Sequence, residues 1–276
     1  MFGPKNQPPR WAPPSWTWTT ARLHLLLREL NWLVEDALEQ PSVLSSSSSY
    51  DDGVPVSIRA CLDDLYKLWK QRIEERRPFQ YLVGCEHWRD LILSVEEGVL
   101  IPRPETEIIV DLVDDAVTGN ETLRNGIWAD LGTGSGALAL AVARILGVGS
   151  GRVVATDLSP VAVAVASYNV ERYNLQGNSV DLLAIHHISP VKILTGYKLK
   201  FLNMNQLALD GGVNGMNDLI HLCNGATSML KPGGFFAFET NGERQSKCLV
   251  DYMDTKMKGS FYSINIRLIS LESKDS

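Results

Sequence analysis

Residues 127 to 157 constrain this chain more than any other stretch. Ile127-Trp128-Ala129-Asp130-Leu131 is an apolar run, Gly132-Thr133-Gly134-Ser135-Gly136 a glycine turn, Ala137 to Leu146 an alanine-rich segment, and Val153-Val154-Ala155-Thr156-Asp157 a second apolar run ending in an acid. The pattern reads as strand, tight turn, helix, strand, the first half of a nucleotide-cofactor fold. Glycines admit turns and close approaches that a Cβ forbids, and the helix behind them offers free N–H groups. A ligand with an adenosine end is expected there. Asp157 follows the last glycine by about twenty residues, the distance that brings a second strand tip beside a ribose, whose hydroxyls a carboxylate accepts.

The spacing Gly132-x-Gly134-x-x-Ala137 also satisfies the dinucleotide fingerprint, so it does not choose the cofactor. Asp130 does. An anion on the last turn of the strand repels a pyrophosphate and suits the ammonium of an amino-acid-bearing cofactor such as S-adenosylmethionine. Methyl transfer is therefore favoured over hydride transfer, and an NAD-dependent oxidoreductase stays as an alternative supported only by the glycine spacing. The plainer possibility, a turn with no ligand, is opposed by two acids in register.

The 276 residues suffice for one α/β domain and a smaller second one. A net charge of −6 gives no basic surface for nucleic acid, so the expected partner is a protein or a small molecule. Cys61, Cys85, Cys223 and Cys248 are scattered, which suggests neither a zinc site nor a disulfide framework and fits a reducing compartment. No apolar run reaches the length of a membrane span; a soluble intracellular protein is expected, with cytoplasm, mitochondrion and plastid left open. His186-His187 would point opposite ways on a strand, without an acid or Cys to complete a metal site.

Residues 1–20, rich in Pro and Trp, form an irregular leader. A helical N-terminal domain spans 21–77. Its first helix, Arg22 to Leu38, carries Leu23, Leu26, Leu27, Leu30, Leu33 and Val34 at helical spacing; its second starts at an N-cap Ser57 and runs to Ile73, beyond the serine loop Ser45 to Ser49. Residues 78–101 read as a linking β-hairpin with strands Tyr81 to Val83 and Leu91 to Val95. The cofactor domain, 102–276, has a helix from Pro104 or Thr106 to Val117 and another from Ser159-Pro160 to Tyr173. A third strand is expected at Val180 to Ile185. Helices follow at Asn217 to Leu230 and Gly242 to Lys256, with a buried strand Phe235 to Glu239 between them and a last strand Phe261 to Ile269. Such alternation gives a doubly wound, mostly parallel sheet of Rossmann-like type.

Pro78-Phe-Gln-Tyr-Leu-Val-Gly84, Leu100-Ile-Pro-Arg-Pro-Glu-Thr-Glu107, Asp130 to Gly136 and Asp157-Leu-Ser-Pro160 together resemble the release-factor glutamine methyltransferases. The likeness runs from about Arg77 to Asn174 and resumes from Leu207 to Gln245. It implies a class I S-adenosylmethionine-dependent fold behind a helical domain, and methyl transfer to the side-chain amide of a glutamine in a peptide chain release factor. On this resemblance Asp130, Gly132, Thr133, Gly134, Ser135, Gly136 and Asp157 bind the cofactor, while Arg103, Pro104 and Glu107 position the substrate or shape the cleft. Glu239 and Gln245, at the end of a buried strand, are pocket-lining or structural.

The family places Asn-Pro-Pro-Tyr at the end of its fourth strand to receive the amide, and this sequence has no such motif. The catalytic residues are thus unassigned, and a catalytically impaired binding protein is the rival reading. Between Asn174 and Leu207 the family's usual strand, helix, strand and motif hardly fit; Val191 to Leu194 or Leu199 to Leu202 is the substitute fourth strand. Few residues remain after Ile269 for the family's closing antiparallel pair, so the sheet is expected to be incomplete. A spliced or mis-assembled product is the expected account of both gaps, and sequencing the transcript across Asn174 to Leu207 is its test.

Overall fold

The computed structural model describes residues 20–39, 57–176, 179–184, 200–202 and 216–267. The leader, the serine loop, His186-His187, Val191 to Leu194, Leu207 to Gly212 and Ile269 lie outside the described residues. The chain divides into two units between Val83 and Gly84.

In the first unit, α1 (Thr20–Ala37) buries Leu26, Glu29, Leu33 and Ala37, positions three or four apart. The buried stripe is narrower than the apolar pattern suggests: Leu23, Leu27 and Val34 are exposed, because they stand off the 26-29-33-37 line. The second helix, α2 (Leu62–Lys70), starts at Cys61 rather than at Ser57. Ser57 and Ile58 are instead drawn into extended backbone: Glu39 N–H donates to Ser57 O (3.1 Å), Arg59 N–H donates to Ala37 O (2.7 Å), and Ile58 bridges Leu38. A π-helical turn, Gln71–Glu75, continues α2 and sets the Arg72 guanidinium bidentate on Glu29, at 2.7 and 2.9 Å. Tyr81 to Val83 is not a strand. It belongs to a short helix, α3 (Phe79–Val83), entered by a turn in which Tyr81 N–H donates to Pro78 O (3.1 Å).

The second unit opens on a hairpin, β1 (Cys85–Trp88) with β2 (Leu91–Ser94), turned at Arg89 in the left-handed region (φ 52°). A 3-10 turn (Pro104–Thr106) leads into α4 (Glu107–Val117), whose Ile109, Val110, Val113 and Val117 are buried, and a single turn α5 (Glu121–Arg124) follows. The cofactor half-site is β3 (Ile127–Leu131), α6 (Ala137–Leu146) and β4 (Arg152–Asp157). After it come α7 (Pro160–Arg172), capped by Ser159, β5 (Val180–Ala184), β6 (Lys200–Leu202), α8 (Asn217–Met229), β7 (Phe236–Ala237) and α9 (Gly242–Lys256).

Strands β3 to β7 form one parallel sheet in the order β5-β4-β3-β6-β7. Alternate side chains of β3 and β4 feed two cores. Trp128, Val153 and Ala155 pack with α4, α6 and the hairpin, whereas Ala129, Leu131 and Val154 pack with Leu222, Ala226 and Met229 of α8. Both faces of the sheet are covered, so the fold is doubly wound, as the near-continuous apolar strands require. The strand order reverses between β3 and β6, the switch point at whose carboxyl edge such sheets bind ligands.

Both the third and fourth strands are present, the fourth within the second of the two substitutes. Two strands are shorter or absent. Phe235 to Glu239 keeps only two residues in the ladder, and residues 261–267 form no strand. Phe261 stacks on Phe236 instead, centroids 6.2 Å apart, so its alternation serves a small core around α8 and α9 rather than a ladder.

Candidate functional site

The turn between β3 and α6 is held by its own backbone. Gly132 and Thr133 N–H donate to Thr156 O on β4 at 2.8 and 2.9 Å, and Gly136 N–H donates to Thr133 O at 2.8 Å. Gly132, Gly134 and Gly136 have φ of 75°, 57° and 84°, conformations a side chain resists. Gly136 is also needed for closeness: a Cβ there would meet Ala166 of α7 at 3.3 Å.

The two acids are built into this turn. Asp130, 1 % exposed, accepts the Thr133 hydroxyl at 2.6 Å. Burial pushes its carboxyl up to about 7, opposed by the hydrogen bonds from Thr133 and the Ala139 backbone and reinforced by Asp157. Asp157 accepts Gly134 N–H with Oδ2 and Ser159 N–H with Oδ1, both at 2.9 Å. One carboxylate thereby joins the turns after β3 and β4, and each oxygen keeps lone-pair capacity for a further donor.

Leu100, Pro102, Thr106, Asp130 and the Gly132 to Ser135 turn line one pocket. Within the segment Arg103 to Glu107 it is Thr106 that reaches this pocket. Arg103 and Pro104 are exposed, and Glu107 is half-buried with its carbonyl accepting from Arg89. Trp88 pins the segment by donating its indole N–H to Arg103 O at 2.8 Å. At the far end of β7, Glu239 approaches Thr106. Burial raises its carboxyl, while the Thr106 hydroxyl and the Arg103 charge favour the ionised form and Glu105 opposes it. Gln245 acts on backbone instead, its Oε1 accepting Asn241 N–H at 2.6 Å and bracing the start of α9.

Sequence reasoning missed Asn169. Fully buried in α7, it accepts Ser94 N–H (2.8 Å) and donates to Ser94 O (3.0 Å) and Ser135 O (2.9 Å), tying the hairpin to the glycine turn. Only its place among the apolar positions of α7 marks it.

These bonds favour one of the two cofactor chemistries. The N–H groups of Gly132, Thr133, Gly134 and Gly136 all have acceptors within the protein, and Asp130 takes the Ala139 N–H at the start of α6. A pyrophosphate needs such groups free. What the pocket offers, among the described residues, is a buried carboxylate with no cation beside it, which fits the ammonium of S-adenosylmethionine.

A parallel sheet of this order with an acid-floored glycine turn at its switch point is a class I methyltransferase fold. The model of the ribosomal protein L11 methyltransferase (PrmA) family matches residues 104–240. The release factor glutamine methyltransferase of Gloeobacter violaceus is 38 % identical over 205 residues, covering 68 % of this chain and 70 % of the relative. That of Synechocystis sp. is 30 % identical over 236 residues, 76 % of each. Among solved structures, the METTL16 MTase domain aligns with a TM-score of 0.47 and 12 % identity, covering 84 % of this chain and 83 % of that one. The chain belongs to the release factor glutamine methyltransferase family. It is an S-adenosylmethionine-dependent enzyme fold, and the nicotinamide alternative is set aside. Among the described residues no helix is long and apolar enough to cross a membrane.

Proposed function

We propose that this chain methylates the side-chain amide nitrogen of a glutamine in a peptide chain release factor. The observation that carries the reading is that Leu100, Pro102 and Thr106, from the Leu100 to Glu107 segment of the resemblance, line the same pocket as Asp130 and the glycine turn. Glutamine-directed relatives at 30 to 38 % identity support the substrate.

When bound, S-adenosylmethionine supplies an electrophilic methyl on its sulfonium. Asp130 holds the ammonium end, Asp157 the ribose, and Gly132 to Gly136 let the backbone approach the ligand between them. Pro102 and Pro104 stiffen the segment that carries Arg103 and Glu107, keeping its Thr106 face on the pocket. An amide nitrogen is a weak nucleophile, its lone pair being delocalised into the carbonyl, so alignment with the methyl supplies most of the acceleration.

The sequence lacks Asn-Pro-Pro-Tyr, and this favours a second reading, a methyltransferase-like binding protein of low activity. Transfer of labelled methyl to a purified release factor, beside a factor with its target glutamine replaced, tests both. Labelling that requires the glutamine supports the first, at a rate well below that of a relative with the full motif. Cofactor binding with no transfer supports the second.

A further inference from the structure

Thr106 is 3 % exposed, and among the described residues its hydroxyl and one Glu239 carboxylate oxygen, Oε1, are both buried without a hydrogen-bond partner. Unpartnered buried oxygens are rare and destabilising. Here two occur side by side, close enough for the hydroxyl to stabilise the charged carboxylate although their geometry falls short of a hydrogen bond.

Their place in the fold says what they face. Asp130, Leu202 and Ala237 share one rung of the sheet, and Glu239 stands two residues beyond it at the carboxyl edge. With strands about 4.8 Å apart, that is about 10 Å across from Asp130. Thr106 spans the interval, bordering the Asp130 pocket on one side and Glu239 on the other.

We propose that Thr106 and Glu239 form the seat of the substrate's side-chain amide and the determinant that accepts glutamine and rejects glutamate. The proposal rests on the glutamine reading above. A primary amide presents two N–H donors and one carbonyl acceptor; a carboxylate beside a hydroxyl presents the complementary set. Glu239 accepts the N–H groups and stabilises the positive charge that develops on nitrogen during transfer, while the Thr106 hydroxyl donates to the amide oxygen. A glutamate side chain in the same seat would place two carboxylates together, so the charge works as a filter.

The test is a double-mutant cycle on binding, with the chain loaded with S-adenosylhomocysteine and the release factor carrying Gln, or Glu in its place, at the target position. Wild type is expected to prefer the Gln form by about tenfold or more, and Glu239→Gln to erase most of that preference, a coupling within the range for groups in contact. Thr106→Val, near in shape, should weaken the Gln form several-fold and serves if Glu239→Gln unfolds. S-adenosylhomocysteine affinity of Glu239→Gln should stay within about twofold of wild type; its loss would mark Glu239 as part of the cofactor turn and overturn the assignment. An undiminished preference in Glu239→Gln also overturns it and leaves the glutamine reading standing. No preference in wild type also overturns the seat, while absence of glutamine-dependent methyl transfer is what removes the glutamine reading.

Discussion

Asp130 has its carboxyl pushed up to about 7 by burial, which makes its protonation a working variable at physiological pH. An acid whose pKa is higher folded than unfolded binds protons more readily in the folded state, so the ligand-free chain loses stability as pH rises from about 4 to 7. With Asp130 proposed to hold the cofactor's ammonium, binding requires the ionised form. Affinity for S-adenosylhomocysteine should therefore rise about fivefold from pH 6 to pH 7, following the ionised fraction, and titration calorimetry at the two pH values measures it. Asp130→Asn should bind weakly and lose this dependence. Asn169 supports the same turn from behind. Asn169→Ala leaves Ser94 and Ser135 groups unpaired and should destabilise by about 2–3 kcal/mol in urea unfolding. Asn169→Asp should not rescue, because two of the three bonds need its N–H donors.

The elements legible in the sequence are those specified by neighbours. The glycine turn needs left-handed backbone at three positions and carries its acids within one βαβ unit, and Ser159-Pro160 is a local cap and start for α7. Tyr81 to Val83 and Ser57 mislead because an apolar triplet or a lone serine has no fixed meaning without partners. Pro78 turns the first into a helix, and pairing with Leu38 pulls Ile58, next to Ser57, into extended backbone. Glu239 reads as a strand-end acid, but its neighbour Thr106 lies over a hundred residues away, a distance no local pattern spans. Gly151, just before β4, is the same kind of position. A Cβ there would collide with the carbonyl oxygens of Arg124 and Gly126, the latter at 2.7 Å, and with Leu146 at 2.9 Å. Backbone cannot give way as a side chain can, so Gly151→Ala should destabilise by about 1–3 kcal/mol, read from the midpoint of urea unfolding.

At the scale of the molecule, each unit has its own stabilising interactions. The Arg72–Glu29 pair in the first is largely buried, and removing one partner leaves a charge without a counterion, a loss of about 3–5 kcal/mol. Glu29→Ala should accordingly raise hydrogen exchange in α1 and α2 while S-adenosylhomocysteine affinity holds, since every residue of the cofactor turn belongs to the second unit. Within that unit, Asp157 spends one oxygen on each of two successive turns. Evolutionary drift at this position would thus have to be repaired in two loops at once, and a variant recovered by a single second-site change should be far harder to find at Asp157 than at Arg103, whose exposed side chain leaves its surroundings room to adjust.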